Sequence, residues 1–197
     1  MIGFGIRSLA FAIALVGVST CAASAQSMPA NSAGIIVRPA DKVSPNEPPV
    51  AIVGWSYEKL AADVHMFTCQ DTQCVPHSRV SYRLYAPDTT TTLAQFREQQ
   101  QGVVKALQER APPGTRIEIL DISGDEGAGT PRMFTTRRLI SAPDGKKEFV
   151  SSSMLFGTRH SASVISSSLD EQASRTNQSL FVIGVMSFVN ASAQAKP

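Results

Sequence analysis

"TLAQFREQQQGVVKALQERAPPG", Thr92 to Gly114, is where the chain changes period. Leu93, Phe96, Val103, Val104 and Leu107 follow one another at spacings of three, seven, one and three, which sets them on one stripe of a 3.6-residue helix. Thr92 with Gln95 makes a capping-box pattern at the start, and Pro112-Pro113-Gly114 stops the helix. The stretches on either side alternate instead. A single helix set between strand-forming segments points to an α+β domain rather than a bundle or an all-β sandwich.

Upstream, "VAIVGWSY" (Val50 to Tyr57) is rich in β-branched and aromatic residues and predicts a first strand, weakened at Gly54. "ADVHMFTC" and "CVPHSRVSYRLY" flank the four residues "QDTQ" and predict a hairpin. Downstream, four more strands are predicted: Arg116 to Ile122, Arg132 to Ser141, Lys147 to Gly157 and Ser161 to Ser168. Pro143-Asp144-Gly145 supplies the turn between the second and third of these. Ser168 with Glu171 offers a second capping box, opening a final helix through "DEQASRTNQSLFVIGVMSFV". The segment Leu180 to Val189 is apolar nearly all round and reads either as helix buried on the sheet or as a strand. At ten residues it is too short to cross a bilayer, which needs about 20.

The order is strands, helix, four strands, helix: an antiparallel β-sheet with two main helices. Together with the closing strand-to-helix passage "SVISSSLDEQASRTN", it resembles the PsbP-like α-β-α sandwich family of small secreted or lumenal proteins. That resemblance would cover Val50 to Val189. It implies an assembly or binding factor without catalytic residues, and it transfers no site residue to this chain.

The first residues address the compartment. Met1 to Ala25 carries Arg7, then the apolar run "LAFAIALVGV", then small residues ending in Ala23-Ser24-Ala25, the order of a secretory signal peptide of bacterial length. Cleavage is expected after Ala25, placing the protein in the periplasm or outside the cell. The alternative is "VSTC", Val18 to Cys21, which resembles the lipobox of bacterial lipoproteins and would anchor the chain by a lipid on Cys21, although Thr20 departs from that pattern. Residues 26 to 49 are rich in Pro and polar side chains and read as an extended, solvated linker. Residues 50 to 190 form the single domain, and residues 191 to 197 read as a disordered tail.

Removing residues 1 to 25 takes away Arg7 alone among the charges, so 18 basic and 16 acidic residues become 17 and 16. A near-neutral chain argues against nucleic-acid binding and against a polybasic membrane surface. It also loses Cys21 and keeps Cys69 and Cys74, an even pair for an oxidising compartment.

Those cysteines lie beside two histidines in "HMFTCQDTQCVPHSRV". If Cys69 and Cys74 face each other across "QDTQ", Met66 opposes His77 and His65 opposes Ser78. His65, Phe67 and Cys69 then share one face of the strand, with His77 on the other. A tetrahedral metal site needs all its ligands at one point. The favoured reading is therefore a structural disulfide. A bulge at Pro76 would bring His77 round, so a copper or zinc site of Cys69, Cys74, His65 and His77 stands as an alternative, as does a redox pair. The spacing is C-x4-C, not the C-x-x-C of thioredoxin-like enzymes.

Other groups are weaker signals. His160 sits among serines in "GTRHSAS" but without a G-x-S-x-G elbow. Asp121, Asp125 and Glu126 miss the calcium-loop spacing. Arg132, Arg137, Arg138, Lys146 and Lys147 gather on one predicted hairpin, where they either protect a sheet edge or form a surface for an anionic partner. Trp55 and Tyr57 share a strand face and read as core. No catalytic motif and no cofactor signature is present. The favoured function is a non-enzymatic envelope module that binds or helps assemble another envelope protein or complex. The alternative is a small periplasmic redox or metal-handling protein centred on Cys69 and Cys74.

Overall fold

The computed structural model describes residues 35–37, 48–60, 63–70, 72, 74–127 and 131–190. The segment 1–25 read as a signal peptide, most of the stretch 26–49 read as a linker and the segment 191–197 read as a tail lie outside them. Among the described residues nine strands and two helices run in the order β1 (Ile35–Val37), β2 (Val50–Ile52), β3 (Trp55–Lys59), β4 (His65–Cys69), β5 (Arg79–Tyr85), α1 (Leu93–Arg110), β6 (Arg116–Gly124), β7 (Arg132–Ser141), β8 (Lys147–Phe156), β9 (Ser161–Ser168) and α2 (Glu171–Val189). The architecture is the expected α+β one. A seven-stranded sheet has the order β3-β4-β5-β9-β8-β7-β6, antiparallel throughout, and β1 and β2 form a separate two-stranded sheet.

Two expectations at the N-terminal side need correction. The single strand Val50 to Tyr57 is two strands, because Gly54 takes a left-handed φ of 84° and turns the chain from one sheet into the other. Within the stretch read as a solvated linker, Ile35–Val37 pairs with β2 as β1.

α1 is capped as its sequence predicts. The Thr92 N–H donates to Gln95 Oε1 (2.9 Å), and the Gln95 N–H donates to Thr92 Oγ1 (3.2 Å). Its apolar stripe is buried at one end only. Leu93 and Phe96 are buried against Phe134 and Phe156, whereas Val103 is 40% exposed. The far end is tied to β6 by polar bonds instead, with Gln108 donating to the Thr115 carbonyl (2.6 Å) and accepting from the Ile117 N–H (2.9 Å).

α2 settles the helix-or-strand ambiguity at Leu180 to Val189 as helix. Its N-cap is Asp170, whose carboxylate accepts from the Ala173 N–H (2.6 Å), so the expected Ser168 cap moves by two residues. Ser168 ends β9 and accepts from the Asp170 N–H (3.2 Å). The helix contacts the sheet by two chemistries. In its first half Ser174 donates to Ser151 (3.1 Å) and to the Ser166 carbonyl (3.2 Å), and Gln178 donates to Ser153. In its second half Phe181, Val182, Val185, Phe188 and Val189 join Phe67, Val80, Tyr82, Leu155 and Val164 in the main core.

Strand parity puts the helices on opposite faces. Arg137, on one side of β7, bonds Glu171 of α2, while Phe134, on the other side, stacks on Phe96 of α1. The faces are called the α2 face and the α1 face below.

β8 passes into the next turn beneath the end of α2. A Cβ at Gly157 would overlap the Val189 side chain and carbonyl oxygen, so the backbone fits there only without a side chain. Gly157→Ala is expected to lower stability by about 1–3 kcal/mol, read as a fall in the urea midpoint at constant slope.

Candidate functional site

The candidate site lies at the end of the sheet where β4 begins and β5 ends. His65 opens β4 opposite Lys59 of β3 and Tyr82 of β5. Its ring is stacked on Tyr82 (4.5 Å between centroids, 11° between planes) and, on the other side, on Tyr57 (6.0 Å, 20°). The Tyr57 hydroxyl pairs with His65 Nδ1 at 3.1 Å. With the imidazole neutral, the phenol donates to Nδ1 and the proton sits on Nε2, leaving a donor for a ligand. Burial holds the imidazole pKa below its ordinary value, Lys59 lowers it further, and Asp63 opposes both. The Tyr82 hydroxyl is buried without a partner, and burial pushes that phenol up, with a smaller contribution from Tyr57.

A cleft of about 500 Å³ opens beside this stack, with Asp63, His65, Tyr85, Pro87, Arg159 and His160 among its walls. Arg159 and His160 are carried by the turn before β9, where both backbone N–H groups donate to the Val189 carbonyl at the end of α2 (3.0 and 3.2 Å). Asp63 is engaged by Lys59 (3.3 Å) in an exposed pair. On the far side of Pro87, the Asp88 carboxylate works against its partial burial by accepting from Thr91 and Thr90, which hold its pKa down to about 2. The cleft thus joins two imidazoles, the Tyr85 ring, one permanent cation and the Asp63 carboxylate, with the Tyr57 and Tyr82 rings behind His65. Such a lining suits recognition of a flat or apolar group bearing acceptors.

Cys69 and Cys74 are joined by a disulfide, with 6.0 Å between Cα atoms. The hairpin register around it differs from expectation. His65 opposes Tyr82 rather than Ser78, and Met66 opposes Ser81 rather than His77. The reason is local. Pro76 has no N–H for a ladder, His77 takes a left-handed φ of 66°, and β5 starts only at Arg79. The slip is by four residues, an even number, so the face shared by His65, Phe67 and Cys69 is unchanged. His65 lies four strand positions from Cys69, about 13 Å along the strand, with its ring in the tyrosine stack. The set Cys69, Cys74, His65 and His77 is therefore not brought to one point, and among the described residues no three His, Cys, Asp or Glu side chains are grouped to hold a metal.

The basic hairpin does not form one surface. Arg137 lies on the α2 face, bridged to Asp121 (3.7 Å) and Glu171 (3.2 Å). Arg132 lies on the α1 face, its guanidinium over the Phe134 and Phe156 rings and bonded to the Thr91 carbonyl (3.1 Å). Arg138 is buried on that same face. Lys146 pairs with Asp144 in the exposed turn (2.7 Å), and Lys147 is exposed beside it. Of the acidic loop, Glu126 accepts from the Leu93 N–H (2.7 Å) and so serves the positive end of α1. Trp55 packs edge-on against Phe181, as a core residue should (5.3 Å, 76°). The nearness of His65 and His160 is the feature sequence reasoning missed. Nothing in either segment signals the other, since the β4–β5 and β5–β9 pairings together unite them.

No protein-family model matches the sequence, and a search of curated proteins finds no match either. Among solved structures, the chain is similar to the solution structure of cyanobacterial PsbP (CyanoP) from Synechocystis sp. PCC 6803. The two are 14% identical, the match covers 70% of this chain and 82% of that one, and the TM-score is 0.48. It is also similar to the Ran-binding protein Mog1p of Saccharomyces cerevisiae, at 15% identity over 66% of this chain and 76% of that one, with a TM-score of 0.42. Among the described residues no helix is long and apolar enough to cross a membrane.

Two outcomes are expected at this hairpin. Thiol titration of the folded mature protein should find neither Cys69 nor Cys74 until it is denatured and reduced, and replacing both by Ala should cost about 2 kcal/mol in urea unfolding. His65 titrates in the opposite sense to a salt-bridged histidine. Because its folded-state pKa is lowered, the unfolded chain binds more protons just below about pH 6.5, so stability is full above that pH and falls as the pH drops toward the folded-state value. The urea midpoint should fall between about pH 7.5 and about pH 5, and fall less in His65→Phe, which keeps a ring in the stack but does not titrate.

Proposed function

We propose that this is a non-enzymatic binding or assembly module of the bacterial cell envelope, exported by the segment 1–25 and engaging another envelope protein or complex through the cleft at His65. The observation that carries the reading is the half-buried imidazole held between Tyr57 and Tyr82 at the mouth of that cleft, with Arg159 and His160 opposite. Ordered aromatic rings with a few convergent polar groups bind at low entropic cost, because little side-chain freedom is left to lose. The disulfide supports an oxidising compartment, and the signal-peptide pattern supports export to the periplasm or beyond, with a lipid on Cys21 as the alternative mode of attachment. A redox or metal-handling role draws less support, since both sulfurs are held in one bond and His65 is turned to the tyrosines.

Site-specific photo-crosslinking in the native cell tests this. A crosslinker at Ala86 or Pro87, at the cleft, should trap a discrete envelope partner, whereas one at exposed Glu98 on α1 should not. His65→Ala should weaken the adduct at least tenfold while the protein remains exported and folded. Equal labelling from all three positions, or no adduct from the cleft, would sink the proposal.

A further inference from the structure

Arg138 is an anomaly of the α1 face. Only 7% of its surface is exposed, yet among the described residues its guanidinium has neither a hydrogen bond nor an ion pair. Burial holds its pKa below the ordinary arginine value, and no neighbouring carboxylate opposes that. A guanidinium does not neutralise at physiological pH, and none of its nitrogens is among the fully buried atoms without a partner, so the exposed remainder of Arg138 is its charged head, open to a ligand.

Its surroundings are those of a donor site short of an acceptor. Two residues away on the same face of β7, Thr136 is fully buried and its hydroxyl has no partner. Opposite Thr136 on β8 stands Ser152, buried, its hydroxyl only 3.5 Å from the Thr136 carbonyl oxygen, at the limit of a hydrogen bond. α1 packs over β6 and β7, whereas the same face of β9 and β5 carries Ser167 and Ser81, with Ile165 between Ser152 and Ser81 and Arg79 beyond Ser167. Arg138 therefore lies on the helix-covered side of the sheet, next to strands that α1 does not pack over. In its cross-strand row, Val150 and Ser167 lead to Arg79. The carboxylate diagonal to Arg138 is Glu148, and it lies 3.9 Å from Arg79 instead. Of the four sheet arginines on this face, Arg132 bonds the Thr91 carbonyl, Arg83 lies over the Tyr85 ring and Arg79 faces Glu148, and Arg138 is the one left over.

We propose that Arg138, with the hydroxyls of Thr136 and Ser152, forms a subsite for a small oxyanion on the α1 face. Phosphate and carboxylate groups share the chemistry required: terminal oxygens that accept from a guanidinium fork and from hydroxyls at once. The subsite is on the opposite face from Phe67 and the core beneath α2, and it stands or falls independently of the cleft at His65.

The test is calorimetric titration of the full mature chain with inorganic phosphate, and separately with sulfate and acetate, at constant ionic strength set by chloride. Wild-type protein should bind at one site, and at about ten times the dissociation constant its thermal midpoint should rise by about 4 °C. Arg138→Met should abolish both signals. Thr136→Val keeps the shape and removes only an unpartnered hydroxyl, so it should fold normally and weaken binding by about tenfold. Tighter binding of phosphate and sulfate than of acetate assigns a tetrahedral group, and the reverse assigns a carboxylate. No titration heat with wild-type protein, or an equal response from Arg138→Met, would overturn the subsite. So would a fall in midpoint for Glu148→Gln that Arg138→Met removes, because Glu148 would then be the counter-charge.

Discussion

Everything in this fold depends on the pairing of β5 with β9. Seven positions, from Arg79 opposite Ser167 to Tyr85 opposite Ser161, join a meander of β3, β4 and β5 to one of β6, β7, β8 and β9. All other strand contacts in the large sheet lie between segments adjacent in sequence and close cheaply. This one spans α1 and three strands, so its loop entropy must be met by what it assembles. What it assembles is the core. Val80 and Tyr82 are brought beside Val164 and Ala162, and α2, which follows β9 directly, lies across the seam onto Phe67. Without the seam neither meander has a closed hydrophobic face.

The serines of β8 and β9 follow from the same requirement. Ser151, Ser153 and Ser166 lie beneath the first half of α2, where large side chains would hold the helix away from the sheet. Short side chains let that half approach, with the Ser151 and Ser153 hydroxyls met by Ser174 and Gln178 and the Ser166 carbonyl by Ser174, and the apolar second half then reaches the aromatic cluster around Phe181. The helix end is fixed in turn. Its last carbonyl, on Val189, receives the two N–H groups of the Arg159-His160 turn, which is how a cleft wall comes to be positioned by the core rather than by its own loop.

How much of this the sequence discloses follows from range. α1 and its cap were legible because a capping box and a stripe lie within a few residues of each other, and the β7–β8 hairpin was legible because Gly145 supplies the left-handed φ that Pro143-Asp144-Gly145 announces. The break at Gly54 was visible only as weakness, since a glycine in a strand does not say which sheet follows. The register of the Cys69–Cys74 hairpin was not legible, because a non-glycine residue, His77, takes the left-handed conformation there. At the candidate site His65 was singled out for the wrong partners. Its actual surroundings, Tyr57, Tyr82 and the cleft wall at His160, are set by the β3–β4, β4–β5 and β5–β9 registers, which no local pattern encodes. Of the two readings of the basic hairpin, edge protection or one anionic-partner surface, the second overlooks that alternation along a strand sends adjacent Arg137 and Arg138 to opposite faces.

That division separates two kinds of arginine. Arg137 lies between the carboxylates of Asp121 and Glu171 and ties β6, β7 and α2 together at the polar end of the helix, a structural use of charge that leaves nothing over for a ligand. Arg138 is one residue along and has no such partner. A leucine or methionine in its place would fill the same space between the sheet and α1 without the cost of a desolvated charge, as buried ion groups replaced by apolar residues commonly show. Packing alone therefore favours an apolar residue at this position, and the proposed subsite gives the charge its use.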